Sequence, residues 1–370
     1  MSHRWIADRM SLFDSSGIRR VFDLAARLER PIDLSIGQPD FDVPPEIQEA
    51  AIRAIRDGRN GYAPTMGIPE LRDALAQRIQ ADYDHADRQV FVTSGTAGGL
   101  LLAVMALVDP GDEVIIFDPA FLVYQAIVSV VGGRVVPVDT YPDFRLDIDR
   151  VREVITERTK LILFNSPANP TGAVAGETEV RALAELAAER DIALVSDEIY
   201  RAFCHVPFVS PAQFNDQTIV VDGFSKTYAI TGWRLAFAHG PAAIIDEMAK
   251  LQQYTFVCAP QPAQWAGVAA LEVDVRPYVA DYRRKRDLLI DELDGVLEME
   301  KPEGAFYAFP KAPWGTGTEF VERAIQQQLL VIPGGIFSGR DTHFRISYAV
   351  ADDTIRRGAE VQRSLASQGP

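Results

Sequence analysis

The feature that most constrains the fold is a succession of short runs rich in valine, isoleucine and leucine. DEVIIFDP ends at Pro119, RVVPVD at Asp139, KLILFNSP at Pro167, IALVSD at Asp197, TIVVDG at Gly223 and RLAFAHG at Gly240. Most of these runs are continuous rather than alternating, so their side chains are apolar on both faces, as in strands covered by helices on either side. Segments of helical period lie between them, with Val180, Leu183 and Leu186 preceding IALVSD. The reading is an α/β fold: a large domain on a mostly parallel sheet.

Upstream, Leu71, Leu75 and Ile79 repeat every four positions behind Gly67, Ile68 and Pro69, which predicts a helix with one buried stripe. QVFVTS then passes through GTAGG into LLLAVMAL, a strand, a glycine-rich turn and a helix. Beyond about Pro277 the pattern changes. YVADYRRKRDLLIDEL reads as a charged amphipathic helix, GAFYAFP and HFRISYAV as short strands, residues 320–330 as a helix between them, and a last helix starts near Ala351. The expected division is an arm at residues 1–40 that contributes to the small domain, a large domain at 41–276 and a smaller α+β domain at 277–370. PIDLSIGQPDFDVP, with two prolines and Gly37 after a short apolar run, should carry the arm across the surface and supply backbone to a cleft.

A chain of 370 residues with 47% hydrophobic content can fill two such units. Its net charge of −15, from 52 acidic and 37 basic residues, argues against chain-wide attraction to nucleic acid or anionic membrane. Cys204 and Cys258 match no zinc spacing, and the five histidines form no metal signature. Apolar runs stop far short of the ~20 residues that span a bilayer, so a cytoplasmic location is expected.

The chemistry is concentrated in VDGFSKTYAITGWR. Lys226 follows a buried strand at its C-terminal end, where open α/β sheets bind ligands. A lysine there can lose its proton and attack an aldehyde. Asp197 ends IALVSD at an equivalent position, and a buried carboxylate requires a partner such as a protonated pyridine nitrogen; a helix cap is the alternative. Tyr200 and Asn169 offer polar groups for a ring hydroxyl, although Asn169 before Pro170 also marks a turn. Thr96 and Ala97, in SGTAGG, can present backbone N–H groups to an anion, and Arg234 can add a bidentate guanidinium. Phe121 could stack on a ring or simply fill core. Amine, carboxylate and phosphate clamp together are what pyridoxal phosphate needs.

The order SIGQPDF, GYAPTMGIPELR, SGTAGG, NSPANPTGAV, SDEIY, FSKTYAITGWR, EGAFYAFP and HFRISYA resembles the fold-type I pyridoxal-phosphate aminotransferases of class I and II, over essentially the whole chain. The resemblance implies that Lys226 bonds the cofactor aldehyde, Asp197 pairs with the ring nitrogen, and Tyr200 and Asn169 bind the ring oxygen. Phe121 stands at the ring-stacking position and Arg234 at the phosphate arginine. Tyr62, in GYAP, is similar to the tyrosine that reaches the phosphate from a neighbouring subunit, which implies a homodimer. Arg345 corresponds to the residue that holds the substrate α-carboxylate, assisted by the backbone at Gly37 and by Asn169. Many relatives have a phosphate-binding serine three residues before the lysine. Gly223 stands there in this chain and Ser225 lies beside Lys226, so a different hydroxyl or a water is expected to complete the phosphate pocket.

The implied activity is transfer of an amino group between 2-amino acids and 2-oxo acids, with glutamate and 2-oxoglutarate as one pair. Carbon–sulfur β-elimination and a noncatalytic cofactor-binding regulator are the alternatives. Tyr254, Phe256, Val257 and Cys258 resemble the rim of the family cleft and favour aromatic or apolar donors. Aspartate stays open, because a second arginine could come from a partner subunit or a mobile arm, and the sequence does not place Arg19, Arg20 or Arg59.

Overall fold

The computed structural model describes residues 3–12, 28–29, 31–83 and 88–369. The first strand, β1 (Ile32–Asp33), precedes the helices Pro45–Arg56 and Pro69–Asp82. Leu71, Leu75 and Ile79 are buried along the second helix, as their four-residue spacing predicts. Seven strands then build one sheet: β2 (Arg88–Thr93), β3 (Glu113–Asp118), β4 (Arg134–Asp139), β5 (Thr159–Asn165), β6 (Ala193–Asp197), β7 (Ile219–Gly223) and β8 (Ala236–Pro241). Their order is β2-β8-β7-β6-β5-β3-β4, and β8 alone runs antiparallel to its neighbours.

Apart from the edge strand β4, where Arg134 and Pro137 are exposed, the apolar runs are buried on both faces. Val114, Ile116, Leu161, Leu163, Val195 and Val221 pack into one cluster with the helices Thr96–Leu107 and Ala242–Tyr254. Ile115, Ile162 and Leu194 point the other way, against Val180, Leu183 and Leu186 of the helix Glu177–Glu189. Each such side chain contributes roughly 1.5–3 kcal/mol relative to exposure, so the sheet is a stiff platform for whatever its ends carry.

After the helices Gln261–Ala270 and Arg276–Leu293 come β9 (Tyr307–Ala308), β10 (Leu329–Leu330), β11 (Ile332–Pro333) and β12 (Phe344–Ser347). The strands β11, β12 and β9 form an antiparallel sheet in that order, and the helix Asp352–Gln368 closes the chain. The helix expected over 320–330 is Gly317–Gln326. Gln328 then takes φ 63°, which breaks the helix and frees Leu329 and Leu330 to pair.

Their partner corrects the reading of the arm. β1 pairs in parallel with β10, and Leu34 and Ser35 are fully buried, so this stretch is an inserted strand rather than a surface crossing. The edge of β10 takes up its backbone. Farther along, Asp40 accepts bonds from Tyr282 Oη at 2.8 Å and Lys285 Nζ at 2.6 Å, tying the arm to the helix Arg276–Leu293.

Candidate active site

The strands β3, β5, β6 and β7 are mutually parallel, so their C-terminal ends meet along one edge of the sheet. The residues just past these ends line a cavity of about 470 Å³. Thr96, Ala97, Phe121, Asn169, Asp197, Tyr200, Ser225, Lys226 and Arg234 all face it, joined by Gly37 from the arm and Arg345 from β12. Tyr62 does not; it is 84% exposed.

Asp197 ends β6 and is almost fully buried. Its carboxylate accepts from Tyr124 Oη at 2.8 Å and from the Ile199 N–H at 3.2 Å, and makes no ion pair among the described residues. Burial pushes its pKa up to about 6, against the pull of those two bonds. Lys226 follows β7 and donates to the Gly37 carbonyl at 2.5 Å. Burial lowers this amine to about 8, with the charges of Arg345 and Arg234 acting in the same direction and Asp197 against it. The cavity thus holds an amine that gives up its proton near pH 8, far more readily than an exposed lysine.

Arg345 is a cation with almost no exposed surface. Its guanidinium donates to Asn169 Oδ1 at 2.9 Å and to the Ser35 carbonyl at 2.8 Å, while Nε has no partner among the described residues. No carboxylate among the described residues pairs with it. A buried charge left in this condition is costly, and an anionic ligand entering the cavity relieves it. Asn169 is placed by Asn165 at the end of β5, whose Oδ1 accepts the Asn169 N–H at 3.0 Å and whose Nδ2 donates to the Asp197 carbonyl at 2.9 Å.

At the other end of the cavity the helix Thr96–Leu107 starts from Gly95, whose φ of 79° suits glycine. A Cβ at Gly95 would also overlap the Arg234 guanidinium, so the glycine lets the arginine lie against the turn. Backbone N–H groups at a helix start and a guanidinium make an anion cradle. Gly223 is packed tightly: a Cβ there would lie 2.8 Å from Ala236 Cβ and 3.2 Å from Thr96 Cγ2, so a serine would need its neighbours to move. Thr96, Ser225 and Thr231 supply the hydroxyls nearby, and Ser225 Oγ is buried without a hydrogen-bond partner among the described residues.

Among the cavity residues that escaped the sequence reading are two tyrosines. Tyr124, one helical turn past Phe121, holds Asp197, and that spacing was the signal for it. Tyr307, in EGAFYAFP, bonds Tyr200 hydroxyl to hydroxyl at 2.9 Å. The expected rim residues are not part of the cavity lining. Tyr254 is 82% exposed, Phe256 and Val257 are also exposed, and Cys258 lies partly buried in a separate apolar cluster. Arg59 lies over the Trp265 ring, and Arg19 and Arg20 lie outside the described residues.

The sequence matches the family model for aminotransferase class I and II over residues 29–361. The chain belongs to that family. This aminotransferase is 37% identical to a probable aspartate aminotransferase of Methanocaldococcus jannaschii, over 97% of the chain and 99% of the relative. It is 36% identical to the aromatic-amino-acid aminotransferase 2 of Thermococcus litoralis, over 96% of each. Its fold superposes on a Thermus thermophilus aspartate aminotransferase solved with maleate, at a TM-score of 0.93 and 36% identity, covering 98% of this chain and 100% of that one.

Enzymes of this family depend on pyridoxal phosphate, and the cavity suits it on its own chemistry. Among the described residues Asp197 lacks a cationic partner and Ser225 Oγ lacks any hydrogen-bond partner, and the Gly95 turn with Arg234 suits a phosphate. Lys226 is an amine held where an aldehyde could reach it.

Proposed function

We propose that this aminotransferase transfers the amino group of an apolar or aromatic L-2-amino acid to a 2-oxo acid, with glutamate and 2-oxoglutarate as one pair. The observation that carries this reading is Arg345, a buried cation with no carboxylate partner among the described residues, facing the same cavity as Lys226. Every 2-amino and 2-oxo acid brings the missing carboxylate. The rest of the lining includes Ile36, Leu100, Phe121, Leu122, Val123 and Ile199, which suits an apolar side chain.

In this reading Arg345 and the Gly37 backbone orient the carboxylate, and Asn169 couples that clamp to the strand ends. Lys226 Nζ takes the proton from the substrate Cα and returns it, a task its lowered proton affinity suits. Asp197, held by Tyr124, balances the positive ring nitrogen. Pyridoxal phosphate, when bound, supplies an electron sink for the Cα–H bond electrons. Thr96, Ala97, Ser225 and Arg234 hold its phosphate, Phe121 its ring face, and Tyr200 with Asn169 its ring oxygen. We assign residues 41–276 to the domain that holds it and 277–370, with the arm to residue 40, to the one that brings the carboxylate clamp.

Aspartate is a second reading, favoured by the names of the relatives. Among the described residues the cavity offers its side-chain carboxylate no further arginine beyond Arg234 and Arg345. Steady-state turnover across a matrix of amino donors and oxo acceptors decides between them. Phenylalanine, tyrosine, leucine or methionine should exceed aspartate in kcat/KM; equal or better turnover of aspartate would reject the apolar preference. Pyruvate and ammonia released from cysteine conjugates without an acceptor acid would point instead to β-elimination.

Tyr62 is proposed to act from a second copy of the chain. It is exposed in this one, as are Ile52, Ile55, Met105, Tyr254 and Phe256, an apolar set that a homodimer would cover. Mixed dimers of Lys226→Ala and Tyr62→Phe chains should regain part of the activity that each parent lacks, because one of their two sites carries neither change. No recovery in purified mixed dimers, or a fully active monomer, would contradict it.

A further inference from the structure

Tyr200 and Tyr307 are both buried, and their hydroxyls lie 2.9 Å apart. Neither hydroxyl has another hydrogen-bond partner among the described residues. Two phenols bring two protons, and the bond between them uses one. The other needs an acceptor in the cavity that both residues line.

We propose that Tyr307 is a positioning residue whose hydroxyl donates to Tyr200 and so turns the Tyr200 proton into the cavity, toward the ring oxygen of the cofactor. The proposal rests on the role assigned to Tyr200 above. Three features set this direction. The Arg345 charge lowers the proton affinity of both phenols, but the guanidinium lies against the Tyr307 ring, 4.4 Å from its centroid, so it draws electron density more from Tyr307 and makes it the better donor. Burial raises the Tyr307 phenol above its ordinary value, and Arg345 opposes that rise. The Tyr307 hydroxyl is also closed in by the arm, where a Cβ at Gly37 would lie 2.8 Å from its oxygen, so Tyr200 is the partner within reach.

A chain of two hydroxyls strengthens the terminal donation, because each bond polarises the next. Donation to the ring oxygen lowers the proton affinity of the conjugated chromophore, so weakening it raises the pH at which the chromophore titrates. The experiment is a pH titration of the cofactor absorption in four purified holoenzymes: wild type, Tyr307→Phe, Tyr200→Phe and the double variant. Tyr307→Phe keeps the ring under Arg345 and should raise the midpoint by roughly half a pH unit. Tyr200→Phe should raise it further, and adding Tyr307→Phe to that background should change nothing.

A midpoint unmoved by Tyr307→Phe, or the same increment in both backgrounds, overturns the proposal while leaving the role of Tyr200 intact. A silent Tyr200→Phe overturns that role and this proposal together. Should Tyr307→Phe fail to fold, 3-fluorotyrosine at position 307 keeps the hydroxyl and makes it a stronger donor. The midpoint should then fall, and a rise or no change would count against the donor assignment.

Discussion

Replacing Lys226 with alanine should lower amino-group transfer by roughly 10²–10⁴-fold, the span expected for a positioned general base, before loss of the covalent hold on the cofactor is counted. The wild-type amine has a second signature. Burial with Arg345 and Arg234 nearby brings it down to about 8, so its neutral, nucleophilic fraction grows through that pH. Capture of added pyridoxal phosphate, followed by absorbance, should reach half its plateau rate near pH 8 rather than near the ordinary lysine value of about 10.4. The sign follows from the charge: a lowered proton affinity makes the reactive free amine available two decades of proton concentration sooner. A variant with near-wild-type turnover would remove Lys226 from the chemistry.

Arg345→Lys should cost about 2–4 kcal/mol of transition-state stabilisation, or roughly 30- to 1,000-fold in kcat/KM. The charge survives, but the planar fork that donates to both Asn169 and Ser35 does not. A single ammonium lacks the planar array of donors that would hold those two acceptors and a bidentate carboxylate together. The absorption of bound cofactor should persist, because the phosphate is proposed to sit at the Gly95 turn with Arg234, away from Arg345. Loss of cofactor absorption with unchanged affinity for an unreactive amino-acid analogue would reverse the assignment of this arginine.

Much of this architecture is visible in the residues themselves. The seven strands of the main sheet coincide with its apolar runs, since a strand covered on both faces is mostly apolar and keeps its few buried polar groups hydrogen-bonded or near its ends. Lys226, Asp197 and Asn169 were readable because each follows such a run, and Arg345 because it sits within a short strand motif. The strand order was not readable: nothing local tells β8 to insert between β2 and β7 or β3 to lie beside β5. Likewise the arm read as surface because two prolines and a glycine suggest irregular chain, whereas β10 decides its fate from about three hundred residues away. Tyr307 was missed for the same reason. A tyrosine in GAFYAFP is indistinguishable from core packing until the fold lays its hydroxyl beside that of Tyr200.

The pairing of β1 with β10 also sets an order of events during biosynthesis. The chain emerges with its arm first, yet the arm has no strand to pair with until residues 329 and 330 have followed. Ser347 then adds its N–H to the Leu34 carbonyl, and Arg345 reaches Ser35. By that time β2 through β8 can already have formed, with Asp197 and Lys226 at their ends. The nascent protein therefore owns its acid and its amine well before it owns its cation. A truncation ahead of β10 removes both the guanidinium and the strand that β1 pairs with, and the Gly37 carbonyl that Lys226 addresses is then held only through Asp40 and its bonds to Tyr282 and Lys285.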